Sequence, residues 1–167
     1  SHIPVQRVAA EGEKLQIKVC GLMGGHSGAE IDKNRANANK LMGRFLYGLK
    51  KKAEYALISL TGGQKDNAIT RECTAEFLTD SVAEVKAYAK ELQEQLREEY
   101  TGSDENITFE ITEKGTATAE VLHPTSQEKI VFYLQNVPFG IQKMSGTIKG
   151  LVETSSNIGI LRLDRDE

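Results

Sequence analysis

The feature that most restricts the fold of this chain is a repeated switch in the period of its apolar residues. Residues 14–22, KLQIKVCGL, alternate. Leu15, Ile17, Val19 and Gly21 fall on one side, Lys14, Gln16 and Lys18 on the other, which makes a half-buried strand. Residues 34–53, NRANANKLMGRFLYGLKKKA, change to helical spacing, with Ala38, Leu41, Met42, Phe45, Leu46 and Leu49 on one stripe. Asn34 stands where an N-cap belongs, and lysines gather at the end that the helix dipole favours. The period then returns to two. YALISLTGG (55–63) reads as a strand ending at Gly62-Gly63, QKDN connects, and AITRECTAEFLTD (68–80) reads as the next strand, its antiparallel neighbour. Ser81 and Glu84 form a capping-box pattern ahead of a second helical stripe, Val82, Val85, Ala89, Leu92 and Leu96. Residues 101–106 are turn-like, and ITFEIT (107–112) alternates again.

This order, β-α-β-β-α-β, predicts an α+β, ferredoxin-like two-layer sandwich: one antiparallel sheet with both helices on one face. The remainder adds a C-terminal helix and strand. Thr125 and Glu128 make a second capping box, followed by the stripe Ile130, Val131, Leu134 and Val137 and a stop at Pro138. IQKMSGTIKG (141–150) reads as loop or weak strand, and LVETSSNIGILRL (151–163) as the last strand. A chain of 167 residues, 39% hydrophobic, is long enough to bury a core as a single domain, residues 1–167.

Charge narrows the partners. The net charge is −3 and no basic block stands out, which disfavours nucleic acid. No apolar run approaches the roughly 18 residues of a membrane span, and the start lacks a signal-peptide pattern, so neither membrane nor export is expected. The opening SHIPVQRV lacks a methionine, which suggests a piece cut from something longer. Cys20 and Cys73 both sit in alternating apolar runs and outside any Cys-x-x-Cys pair; they read as two buried, reduced thiols of a cytoplasmic protein. The three histidines are scattered, with no His-Glu-x-x-His, so no metal is expected on this chain itself.

Chemistry concentrates in residues 21–28, GLMGGHSG, where His26 stands among four glycines after the first strand. Glycine there signals a tight turn or a close approach. His26 is either a surface-loop histidine or an imidazole presented to a partner. The glycine amides could also cradle an anion, although the lysine and spacing of a phosphate loop are missing. Asn67 and Arg71, in DNAITRE, either support the turn and face solvent or form a small patch, amide plus guanidinium, suited to a carboxylate. Asn157 in ETSSNIG has the same two readings. His123 precedes Pro124 at a helix start, His2 lies at a frayed terminus, and the acid-rich residues 91–99 form a solvated helix face.

Three segments taken together, GLMGGHSGAEI…NANKLMGRFL, GG…NAITRE and GLVETSSNIGIL, resemble the lid (dimerisation) domain of the M20 metallopeptidases, most closely the aminoacylhistidine (Xaa-His) dipeptidase branch. The resemblance runs from about residue 15 to about residue 163. It implies a parent in which a two-zinc catalytic domain, holding the metal ligands and general-base glutamate, is interrupted by this lid. The chain would then be the excised insert, inactive alone, with its own catalytic domain, a second subunit and a dipeptide substrate as partners. His26 matches the lid histidine that reaches the neighbouring subunit's active site and stabilises the developing oxyanion. Gly24, Gly25 and Gly28 would let that loop approach, with Gly25 near the substrate, and Asn67 would lie near the substrate's C-terminal end. Two positions depart from the pattern. Thr70 replaces a proline, which is expected to loosen the turn. Asp80 stands where many such lids carry a carboxylate-binding arginine, thirteen positions after the asparagine, and Arg71 is the candidate substitute. Because sandwiches of this kind host many jobs, a small-molecule-binding regulatory module and a pure dimerisation element are the rival readings.

Overall fold

The computed structural model describes residues 1–28, 30 and 33–167; Ala29, Ile31 and Asp32 of the glycine-rich motif lie outside the described residues. In chain order the elements are β1 (Arg7–Cys20), β2 (Gly25–His26), α1 (Ala38–Leu49), β3 (Ala56–Gly62), β4 (Ala68–Ile69), β5 (Cys73–Thr79), α2 (Val82–Glu99), β6 (Thr108–Leu122), α3 (Pro124–Asn136), β7 (Gly140–Met144), β8 (Val152–Ser156) and β9 (Leu161–Leu163). The main sheet runs β6-β1-β5-β3-β9, and every neighbouring pair in it is antiparallel. Its first four members hold the ferredoxin-like order, and β9 lengthens the sheet at the β3 edge. The apolar stripes of α1, α2 and α3 join Leu15, Ile17, Val19, Leu60, Ala75 and Phe77 in one core. Phe45 of α1 sits at its middle, with ring centroids 5.5 Å from Tyr88 and 5.4 Å from Phe109.

The α+β sandwich with an added helix and strand is therefore the architecture expected, and its departures are local. β1 starts seven residues before position 14, because residues 7–12 find partners in an equally extended β6, from Arg7↔Leu122 to Gly12↔Ala117. Leu22 and Gly21 fall beyond the strand, and Gly21 bends away at φ 78° instead of joining the core face. Asn34 is not the cap of α1. It sits before the helix at φ 51°, and Asn37 caps instead, accepting from the N–H groups of Asn39 and Lys40.

Neither capping box forms as read. The Ser81 side chain makes no cap bond; Thr79 Oγ1 takes the Ser81 N–H at 3.0 Å. α3 starts two residues earlier than the capping box implies, at Pro124, and His123 Nδ1 caps it by accepting from Thr125 N–H at 3.2 Å. That helix ends at Asn136, so Val137 caps it rather than extending its stripe.

Two expected strands are each divided. Residues 68–80 split into β4 and β5, because Thr70 between them is anchored elsewhere. Residues 151–163 split into β8, which pairs with β7 in a separate hairpin, and β9, which joins the main sheet. No helix among the described residues is long and apolar enough to cross a membrane.

Candidate functional site

Register brings the motif residues together. Val19 pairs with Cys73, and Gly62 also pairs with Cys73, so the end of β1, the end of β3 and the start of β5 share one end of the sheet. The loops leaving these strands converge there. The Gly25-His26 strand pairs antiparallel with Ala68-Ile69, Gly25 opposite Ile69 and His26 opposite Ala68. The Ser27 N–H donates to the Asn67 carbonyl at 3.0 Å. Two segments about forty positions apart in sequence thus form one small ribbon carrying both His26 and Asn67 on its exposed surface.

Two of these glycines, Gly24 and Gly25, meet constraints inside the domain. Gly24 (φ 69°) and Gly25 (φ 142°) adopt backbone conformations that side chains resist. A Cβ on Gly24 would also collide with the Arg71 side chain and lie 3.1 Å from the Ile69 carbonyl oxygen. One on Gly25 would lie 2.6 Å from the Arg35 guanidinium. So the stem of Arg71 packs over the loop that bears His26.

Polar clamps hold that loop from within. Glu30 accepts the His26 backbone N–H at 2.8 Å through Oε2 and pairs with Arg35 at 3.1 Å through Oε1. Arg35 reaches on to the Gly24 carbonyl at 2.7 Å. The hydrogen bond from the His26 N–H, helped by Lys33 and Arg35, holds the Glu30 carboxyl below its ordinary range. On the ring itself, Gly28 N–H donates to His26 Nδ1 at 3.0 Å. An accepting Nδ1 puts the hydrogen of the neutral imidazole on Nε2, so Nε2 is the donor.

The partner strand is held by an asparagine–threonine network. Asn157 Nδ2 donates to the Ala68 carbonyl at 2.8 Å and the Asp66 carbonyl at 3.3 Å. Its Oδ1 accepts from Asn37 Nδ2 at 3.0 Å. Asn39 donates to Thr70 Oγ1 and the Ile158 carbonyl, both at 3.1 Å. Thr70 is buried, and its hydroxyl bonds the carbonyls of Ile158 (2.8 Å) and Gly159 (3.0 Å). The loosening expected where threonine replaces proline is therefore absent: the hydroxyl supplies an anchor that a proline lacks. Close approach matters here too, since a Cβ on Gly159 would lie 2.6 Å from the backbone of Lys65 and Asp66. Asn157 thus serves the ribbon from below as a support.

Arg71 borders an open groove of about 690 Å³ with Gly63, Lys65, Ile69, Thr70 and Glu72. His26 and Asn67 are not among its lining residues. Asp80 follows β5 at the opposite end of the sheet, roughly 20 Å away at the rise of an extended strand. His123 is a helix cap, and His2 pairs with Glu167 at 3.0 Å. Cys20 and Cys73 are free and buried, and burial pushes both thiols up from their ordinary values. Among the described residues no group of three His, Cys, Asp or Glu could hold a metal ion.

Sequence reasoning missed Glu30, Arg35, Asn37, Asn39 and, above all, Asp104. Asp104 accepts the Met23 N–H through Oδ1 at 2.8 Å and the Ala36 N–H through Oδ2 at 2.7 Å. These partners lie 81 and 68 positions away, and the only local signal was a turn-forming TGSDEN.

A family model described as the peptidase dimerisation domain matches residues 17–104. The cytosol non-specific dipeptidase of Escherichia coli (strain K12) is 33% identical over 164 residues, which is 97% of this chain and 34% of that protein. The crystal structure of aminoacylhistidine dipeptidase from Vibrio alginolyticus superposes with a TM-score of 0.85 at 32% identity, over 98% of this chain and 34% of that one. The chain therefore spans about a third of the length of these relatives.

Proposed function

This chain belongs to the M20 peptidase dimerisation-domain family, and from that premise we propose that it is the lid of a dimeric, zinc-dependent cytosolic dipeptidase acting on Xaa-His dipeptides. The lid is residues 1–167, inserted into a longer chain whose catalytic domain carries the zinc ligands. It has no activity alone. Its partners are that catalytic domain, a second subunit and the dipeptide.

In this reading His26 supplies the chemistry. With Nδ1 occupied by the Gly28 N–H, the neutral ring offers Nε2–H to a carbonyl oxygen that gains negative charge as water adds. A donor fixed in advance at that point lowers the barrier because the charge it meets exists only in the transition state. Asn67, just before the facing strand, and Gly25 line the approach to the peptide. Arg71 replaces the arginine absent at position 80 by binding the substrate's terminal carboxylate, for which a guanidinium offers a paired set of donors. Arg71→Ala is then expected to raise KM about tenfold with kcat little changed, the loss of one exposed charge-assisted contact. An unchanged KM excludes it.

The observation that carries the proposal is the pairing of the Gly25–His26 strand with the Ala68–Ile69 strand, directly after Asn67. Val5 N–H bonds the Asp166 carbonyl at 2.8 Å, and the Arg7 guanidinium holds the Asp164 and Arg165 carbonyls at 2.7 Å, so the first and last strands are tied together. The proposal includes delivery of His26 to the neighbouring subunit's site.

Mixed dimers test this. A His26→Ala subunit is combined with one whose metal site is disabled, each inactive as a homodimer. Supply across the interface restores activity to about a quarter of wild type, because half of randomly formed dimers carry one complete site of two. No recovery above the parents would show that the histidine serves its own subunit.

A further inference from the structure

We propose that Asp104 is a positioning residue for His26, an inference that rests on the reading of His26 as the acting group. The residue is 1% exposed, and among the described residues no cation pairs with it. Burying a lone carboxylate is costly unless strong donors replace its water. Its two oxygens meet two backbone N–H groups, Met23 at 2.8 Å and Ala36 at 2.7 Å, both at the short lengths of charge-assisted bonds.

Those donors are the two stems of the loop that bears His26. Held on one carboxylate, their nitrogens stay within about 8 Å of each other. The Gly24-Gly25 turn, the ring and the Glu30–Arg35 clamp lie between them and hang from this closure. Asp104 itself is fixed from the far side by its own N–H to the Tyr100 carbonyl at 3.1 Å, at the end of α2. The loop is therefore referenced to the helical layer, while the β2–β4 ribbon references it to the sheet. A donor aimed at a reacting oxygen needs both references, because an error of about 1 Å can cost a hundredfold in rate.

Asp104→Asn is the probing change. It keeps the shape and one acceptor but turns an NH₂ donor toward the other stem N–H, releasing one stem. In the full-length dimeric enzyme this is expected to lower kcat about tenfold to thirtyfold, with KM within twofold and metal content unchanged. The deciding measurement is the cycle with His26→Ala. If Asp104 acts through His26, Asp104→Asn costs no more than twofold once His26 is gone. Equal losses in both backgrounds, or no loss in wild type, overturn the positioning role and leave His26 untouched. Wild-type kcat in His26→Ala alone overturns the reading beneath it, and this inference with it. Should the variant fail to fold, hydrogen exchange on the wild-type enzyme decides: the Met23 and Ala36 amides must exchange as slowly as core-strand amides, and loop-like exchange at either overturns the anchor.

Discussion

Replacing His26 by alanine in the full-length enzyme is expected to lower kcat by about 10²- to 10³-fold, the usual loss for one oxyanion donor. On the proposed role KM and metal content should stay near wild type, because the ring would make its strongest contact only after charge develops. The domain itself should not suffer. His26 is exposed, and the bonds that hold its strand, from Gly25 and His26 to Ile69 and Ala68, use backbone atoms that alanine retains. The Gly28 N–H bond to Nδ1 is lost, at an exposed site where water can replace it. His26→Gln is the informative companion. Its amide keeps an N–H donor in the same region and should recover part of the rate, while His26→Leu, with no donor, should match alanine. Turnover at wild-type level in the alanine variant would remove the histidine from the mechanism.

Phe45→Ala should produce the largest loss of stability, about 4 kcal/mol. For a domain of this size that is a fall of about 8–16 °C in melting temperature. The reason is position. Phe45 is fully buried, and its ring meets Tyr88 of α2 and Phe109 of β6. Truncation opens a cavity where both helices face the sheet, and extended strands below cannot collapse into it. Phe45→Leu keeps most of the volume and should cost no more than about 1.5 kcal/mol. Urea unfolding of the domain followed by circular dichroism measures both. A loss below about 2 kcal/mol for alanine would mean that the core repacks freely around α1. The consequence for the site is indirect but definite: α1 begins at Asn37, whose side chain holds Asn157 and the Ile158 carbonyl. A displaced α1 withdraws support from the ribbon.

How much could be read in advance depended on the range of each interaction. Alternation in KLQIKVCGL and the helical stripe from Ala38 to Leu49 report on neighbours within a turn or a pleat, and both elements formed. The caps were less legible because several polar residues stand near each helix start. Asn34 and Asn37 are both good caps in isolation. The choice fell to Asn37 because Asp104 holds Ala36 outside the helix. Thr79 likewise outcompeted the Ser81 capping box by offering its own hydroxyl. The residues singled out in the sequence, His26, Asn67 and Arg71, lie toward one end of the sheet, with Arg71 on a groove that His26 and Asn67 do not line. Their supports were not legible. Asp104, Asn39 and Thr70 look like ordinary loop or helix residues until their partners arrive.

The order of periods along the chain was enough to determine the sandwich, because which face a side chain takes follows from the backbone repeat alone. The join at the end of the sheet was decided only by the path of the folded chain. Positions 23, 36 and 104, and positions 37, 68 and 157, become neighbours through strand register and helix packing. A hydrogen bond acts over about 3 Å, so no periodicity in the sequence carries a trace of which distant donor will reach which acceptor.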